Sequence, residues 1–365
     1  MANIILFTDL PPRNIFSDKD PWYIEYSTTP SGAYALASHL RGLGYTVLVV
    51  PHCLRLTLQG VKQIIKNNSK DLLWAGISTT LLMAKFDHIK EYRDKWATDS
   101  ELLIDSSILY NRLSREFMNS RTQLVWSAPE LNLISNYLRD CYQVPLLIGG
   151  GWINNVVDQS FEDLNDNVHI ITGRAERNVE NISRALREKS NKLLPALVSN
   201  KDYDDVDFRT RIYNYKEYDY IEEDDWLLLE VSRGCAFNCA YCNYDRKSSF
   251  DSYRSPESLH SELIKNFELY GVTRYVLADD LYNDSKDKVR ILYDKVWSKL
   301  PFKPEWTSYM RLDMFWSDPE SAEIVKQSGA RLGSFGIETL HNKAGSKVGK
   351  GLGKERILET LHRLK

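Results

Sequence analysis

Short apolar runs alternate with amphipathic stretches along the first half of the chain. "NIILFTD" reads as a strand ending near Asp9. "SGAYALASHLRGLGY" reads as a helix, with Ala33, Leu36, Ala37, Leu40 and Leu43 at helical spacing and Gly44 as its stop. The alternation continues through strand "TVLVVP", helix "LQGVKQIIKN", strand "DLLWAGIST", helix "APELNLISNYLRDCY", strands "VPLLIGGG" and "VHIITG", and helix "RNVENISRALREK". Strands that are apolar throughout belong in a parallel sheet covered on both faces by helices. Residues 1–195 are therefore expected to form a doubly wound, Rossmann-like α/β domain. A charged, aromatic insertion at 84–127 breaks the alternation, with some helix around "SSILYNRLSREF".

Residues 196–225 change character: they are acidic, rich in tyrosine and without a core period, which reads as a linker. A second α/β block follows. Strand "WLLLEVS" runs straight into a cysteine-rich loop. Helix "SPESLHSELIKNFELYG" has Ser255 as N-cap, Pro256 at its first position and Gly271 as stop. Then come strand "TRYVLADD", helix "KVRILYDKVWSKL", strand "EWTSYMR", helix "DPESAEIVKQSG", strand "RLGSFGIE" and helix "GKERILETLHRLK". Four β/α units in a row predict a partial (β/α) barrel over 226–365, since a closed barrel takes about 200 residues or more. The pattern stops at Lys365 as if truncated, so the expectation is a fragment or split gene product, with a barrel completed by a second chain or an unusually short barrel as the alternatives.

Composition narrows the function classes. With 365 residues, 43% of them hydrophobic, the chain has material for two packed domains. Its 47 basic against 50 acidic residues leave a net charge of −3, which argues against a broad nucleic-acid-binding surface. No apolar run reaches the roughly 18 residues of a membrane span, and "MANIILFTDLPP" lacks the basic start of a secretory signal. Five cysteines without an export signal predict a reducing, cytoplasmic setting and metal or redox chemistry.

Three of those cysteines, Cys235, Cys239 and Cys242, fall in "SRGCAFNCAYCNYD" with the spacing Cys-x-x-x-Cys-x-x-Cys. Thiolates are soft ligands for zinc or for iron–sulfur clusters. Structural zinc wants four protein ligands. Cys53 and Cys141 lie far off in the first domain, and His260 is well beyond the loop on a helix. A cubane held by three thiolates leaves one iron open to a small molecule. The spacing by itself admits both, with the cluster the better match.

The lead-in "SRGC", the ending "CAYC" and the aromatic Tyr241 before the last cysteine make this stretch resemble the radical S-adenosylmethionine (radical SAM) superfamily. The first half resembles the cobalamin-binding domain that precedes the radical SAM domain in one large branch. The matching stretches are "GAYALASHLRGLGYTVLVV", "WAGISTT", "LLIGGG" and "ITGRAE". The resemblance implies that Cys235, Cys239 and Cys242 hold a 4Fe–4S cluster. The amine and carboxylate of S-adenosylmethionine would chelate its fourth iron. One electron, from a flavodoxin- or ferredoxin-type donor, would then cleave the sulfonium to a 5′-deoxyadenosyl radical that takes hydrogen from an unidentified substrate.

By the same resemblance Tyr241 lies near the adenine, Asp279 and Asp280 meet the methionyl amine, and Arg311 pairs with the methionyl carboxylate. Ser334 and Glu338 stand where relatives bind ribose. Plainer readings stand beside these: a packing aromatic, helix caps at Asp279 and Glu338, and a surface ion pair of Arg311 with Asp313. In the first domain Ser78, Thr79, Gly149, Gly150, Gly151, Gly173 and Glu176 match the cofactor-side turns, which are also ordinary strand–helix turns. One departure matters. "FTDLPPRNIFSDKD" lacks the family's Asp-x-His-x-x-Gly cobalt-ligand motif, and His52 reads as a loop residue. Cobalamin bound without a histidine ligand, and a first domain reduced to a scaffold, both stay open.

Overall fold

A computed structural model describes residues 2–8, 31–51, 53, 56–78, 128–150, 164–173, 175–189, 195, 197–199, 208–219, 221–242, 253–279 and 281–365. The insertion at 84–127 and the candidates His52, Thr79, Gly151 and Asp280 lie outside them. The chain divides into two units. One comprises Met1–Val206 with Asn214–Asp219, the other Asp207–Tyr213 with Tyr220–Lys365.

The first unit strings together β1 (Ala2–Phe7), α1 (Ser31–Gly42), β2 (Val47–Val50), α2 (Leu58–Asn68), β3 (Ser69–Ser78) and α3 (Ala128–Tyr142). β4 (Leu146–Gly149), β5 (Val168–Thr172), α4 (Glu176–Arg187) and β6 (Leu197–Ser199) follow. The strands form one parallel sheet in the order β2-β1-β3-β4-β5-β6. Successive side chains of a strand face opposite ways, and here both faces are dry. Ile5, Phe7, Ala75, Ile77 and Ile148 join Val61 and Ile65 of α2 and Leu131, Ile134 and Leu138 of α3 in one core. On the other face the Trp74 indole is buried and donates to Ser183 Oγ of α4 at 2.8 Å. The order reverses direction between β1 and β3, the kind of switch point at whose carboxyl ends open α/β sheets bind ligands.

β6 was not foreseen. It has three residues, too few to show a period, and it extends the sheet beyond 195 by pairing with β5. The acidic, tyrosine-rich stretch is more than a spacer. Asp219 ends a 3₁₀ turn (Glu217–Asp219) and is buried. Its two carboxylate oxygens accept from Nη1 and Nη2 of Arg41 at 2.6 and 2.8 Å. The Asn214 amide donates to Ser38 Oγ at 2.7 Å. The charges in this segment thus tie it onto α1 of the first unit.

The second unit runs β7 (Trp226–Leu229), α5 (Pro256–Tyr270), β8 (Arg274–Leu277), α6 (Lys286–Lys295), β9 (Glu305–Met310), α7 (Leu312–Ser317), α8 (Pro319–Gln327), β10 (Ala330–Phe335), α9 (Asn342–Lys347) and α10 (Lys354–Leu364). Ser255 caps α5 by accepting from the Ser258 amide, and Gly271 ends it at φ 71°. All four strands are parallel, and each lies beside its predecessor, in the order β10-β9-β8-β7. With right-handed crossovers this order sets the helices along one face, as in the wall of a (β/α) barrel. Trp306 anchors that wall, its ring 4.6 Å from Tyr282 and 5.8 Å from Trp297. The opposite face is less covered, and Tyr309 is exposed there.

The Arg41–Asp219 pair is fully desolvated, so removing one partner strands the other charge. Asp219→Ala is expected to cost about 3–5 kcal/mol in the denaturant unfolding of the first unit. Limited proteolysis should also begin to cut within 214–219. Cleavage and stability unchanged from wild type would show that the pair does not hold the segment.

Candidate functional site

β7 ends at Leu229, and the chain then leaves the ladder with its amides in need of acceptors. Asp279, just past the end of β8, supplies them. Its Oδ1 accepts from the amides of Val231 and Ser232, each at 2.9 Å, and its Oδ2 accepts from Ser232 Oγ at 2.7 Å. Lys288 of α6 completes the group. Its Nζ donates to Asp279 Oδ2 (3.2 Å), Ser232 Oγ (2.9 Å) and the Leu281 carbonyl (3.0 Å), and it pairs with Asp284 at 3.3 Å. Burial pulls the Lys288 pKa down, but the charges of Asp279 and Asp284 outweigh it and leave the ammonium above its usual range. For Asp284 burial is the larger effect and raises its carboxyl, with Lys288 opposing.

Downstream of this anchor come the thiols, Cys235 and Cys239 half-buried and Cys242 exposed. The loop is braced from a second side by Arg311, at the end of β9. Its Nη1 donates to Cys239 Sγ at 3.3 Å, and its guanidinium carbon lies 3.9 Å above the Phe237 ring. Nε donates to Asp313 at 2.8 Å and Nη2 to the Gly349 carbonyl at 2.9 Å. Burial works against the charge of Arg311, but Asp313 and then Cys239 raise its pKa further. Gly349 has φ 81°, and a Cβ there would sit 3.4 Å from the Cys239 Cα. The Ala240 amide donates to the Val348 carbonyl at 3.3 Å. The turn after α9 is therefore packed directly on the cysteine loop.

A third contact closes the loop's far end. The Tyr241 hydroxyl donates to Glu338 Oε1 at 2.9 Å, and Lys350 Nζ lies 4.0 Å from the same oxygen and 5.8 Å from the Tyr241 ring. Desolvation, then the hydrogen bond and charge of Glu338, raise the Tyr241 phenol. Glu338 holds its position at φ 62°, a left-handed backbone uncommon for any residue but glycine.

The structure shows the partners of several expected residues. Asp279 faces the ammonium of Lys288 and caps no helix; the cap of α6 is Ser285. Arg311 does pair with Asp313, though not at the surface, being 6% exposed. Glu338 caps nothing, since the cap of α9 is His341. Ser334 is exposed on β10, in register with Tyr309. Lys288, Lys350 and Phe237 were not among the expected residues, because a lone lysine or phenylalanine in an amphipathic stretch carries no signal of its partner.

In the first unit Ser78 and Gly149 end β3 and β4 as register partners. A Cβ on Gly149 would lie 3.3 Å from the Ile171 carbonyl oxygen. Gly150 and Gly173 follow β4 and β5 with φ of 119° and 74°, and Glu176 opens α4. These residues line the carboxyl ends of adjacent strands.

Residues 229–365 match the family described as the Radical SAM superfamily. The second unit is a radical SAM domain. The match begins at the last residue of β7 and covers the cysteine loop and all three braces. The chain is 25% identical over 140 residues to an anaerobic magnesium-protoporphyrin IX monomethyl ester cyclase of Cereibacter sphaeroides, covering 38% of this chain and 23% of the cyclase. Among solved structures, it superposes on the cobalamin-dependent S-adenosylmethionine radical enzyme OxsB, with aqua-cobalamin and S-adenosylmethionine bound. The TM-score is 0.59 at 14% identity, over 100% of this chain and 48% of OxsB. It superposes likewise on the radical S-adenosylmethionine methyltransferase TsrM of Kitasatospora setae, with cobalamin and a [4Fe-4S] cluster bound. There the TM-score is 0.60 at 15% identity, over 100% of this chain and 67% of TsrM. At these identities the likeness is one of fold. The chain spans about half of OxsB and about a quarter of the cyclase.

The donors in the radical SAM domain fit a thiophilic guest: three thiols on one loop, braced by Asp279 on one side and Arg311 on the other. Among the described residues no three His, Cys, Asp or Glu side chains close to the spacing of a single ion. Also among them, no helix is long and apolar enough to cross a membrane.

If Asp279 anchors the loop, Asp279→Ala should lower domain stability by about 3–5 kcal/mol, because Lys288 and two amides are left buried without their acceptor. Asp279→Asn combined with Lys288→Met should cost less than the sum of the single changes, since the two side chains form one unit. Additive losses in a double-mutant cycle would rule the anchor out.

Proposed function

We propose that the chain is a radical SAM enzyme whose Cys235, Cys239 and Cys242 hold a 4Fe–4S cluster with one iron open to S-adenosylmethionine. The observation that carries this reading is the cysteine loop itself. It follows the first strand of a barrel wall, within the matched radical SAM region, and is braced at both ends by side chains from later strands. Held by Cys235, Cys239 and Cys242, such a cluster would supply the single electron that reductive cleavage of the sulfonium and hydrogen abstraction from the substrate require. The residues of the chain do the positioning. Asp279 and Lys288 fix where the loop starts. Tyr241 and Glu338 stand together at its far end, where an aromatic face and a carboxylate suit an adenine ring and ribose hydroxyls. The parallel strands keep these groups on rigid carboxyl ends.

For the first unit we propose cobalamin binding at the carboxyl ends of β3, β4 and β5, by Ser78, Gly149, Gly150, Gly173 and Glu176. What supports it is the tight turns that Gly150 and Gly173 make at positive φ after β4 and β5, and the shared fold of OxsB and TsrM, both described with cobalamin bound. The chain brings no Asp-x-His-x-x-Gly motif, so this reading gives the cobalt no histidine from the usual place. Methylation or rearrangement of the substrate suits an enzyme that binds both cofactors; with cobalamin absent, the first unit serves as a scaffold.

Anaerobic reconstitution tests the enzyme. About four irons per chain are expected. Reduction with dithionite should release 5′-deoxyadenosine from S-adenosylmethionine, and Cys239→Ala should abolish that release. One zinc per chain and no cleavage would reject the reading. Titration of the purified chain with cobalamin tests the first unit, with saturation expected at roughly micromolar ligand; an unchanged cobalamin spectrum there would reject it.

A further inference from the structure

Arg311 is held too firmly by its own chain to serve as a mobile clamp on a small molecule. Its backbone is fixed first: its amide donates to Asn283 Oδ1 at 2.8 Å, and its carbonyl accepts from Asn283 Nδ2 at 3.0 Å. The guanidinium is fixed next. Nε and Nη2 donate to the two carboxylate oxygens of Asp313, Nη2 donates again to Gly349, and Nη1 donates to Cys239. That engages four of the five N–H groups an arginine carries. The flat face is taken as well, since the guanidinium carbon lies 3.9 Å from the Phe237 ring centroid. A planar fork locked in plane by a carboxylate and stacked on a ring fixes the line of its Nη1 donor, and here that line ends at a thiol.

We infer that Arg311 is a positioning residue for Cys239: it orients that thiolate and raises the reduction potential of the cluster the thiolate holds, rather than binding the carboxylate of S-adenosylmethionine. This rests on the cluster reading above. A hydrogen bond to a ligating sulfur draws electron density off it and favours the more negative, reduced cluster. A buried cation beside the loop acts in the same direction, because little water screens it. Asp313 fixes the angle of the fork and moderates its charge.

The test uses the full chain, reconstituted anaerobically, as wild type and as Arg311→Gln. Iron content, the midpoint potential by EPR-monitored reductive titration without S-adenosylmethionine, and the affinity for S-adenosylmethionine are measured for each. Both proteins should hold about four irons. The potential of Arg311→Gln should fall by the equivalent of a tenfold weaker reduction, about 59 mV for one electron. Affinity for S-adenosylmethionine should stay within about threefold of wild type. Arg311→Lys keeps the charge without the fork and should fall in between; it carries the comparison should the glutamine variant not load iron. A loaded variant with an unmoved potential overturns the inference, the more plainly if its S-adenosylmethionine affinity has dropped about tenfold. Wild type that takes up no cluster overturns the cluster reading, and this inference with it.

Discussion

Two backbone amides, a hydroxyl and an ammonium converge on the carboxylate of Asp279, and the cysteine loop takes its starting point from that convergence. A loop of this kind has no ladder to satisfy its polar groups, so something else must. A buried carboxylate can accept several donors at once, and a buried lysine balances its charge. Both come from the next β/α unit, one from the loop after β8 and the other from α6. The first unit of the wall is thus fastened by the second, while Arg311 and Glu338 bring in the third and fourth. The loop is a product of the whole arc of strands rather than a local motif.

Much of this architecture was legible in the residues. Ser255, Pro256 and Gly271 bounded α5 through cap and turn chemistry that acts locally, and the structure places that helix at Pro256–Tyr270. Continuous apolar runs such as "NIILF" and "LLIG" marked the parallel strands of the first sheet, where burial on both faces leaves no alternation. Three-residue β6 and six-residue α7 and α9 escaped, being shorter than the window in which a period shows. The tyrosine-rich stretch looked like a spacer because its composition is polar. Its burial comes from long-range contacts, among them Arg41 with Asp219 and Ser38 with Asn214, 178 and 176 residues apart.

The site was half legible. Cysteine spacing is a local property and could be read directly. The partners of each charge could not, because they depend on which strand ends come to lie side by side. Asp279 pairs with Lys288 and Arg311 with Asp313, both in internal networks that a linear reading leaves out. Lys350, near Glu338 and Tyr241, lies in a stretch rich in glycine and lysine that carries no pattern of buried positions.

Glu338 carries one more consequence. A left-handed backbone at a residue with a Cβ costs roughly 1–2 kcal/mol that glycine would not incur. At this position a change to glycine would therefore relax the main chain while deleting the carboxylate that meets Tyr241. Robustness and chemistry pull in opposite directions at a single residue, and screening this protein for thermal tolerance alone would favour variants that have given up the group at the mouth of the site.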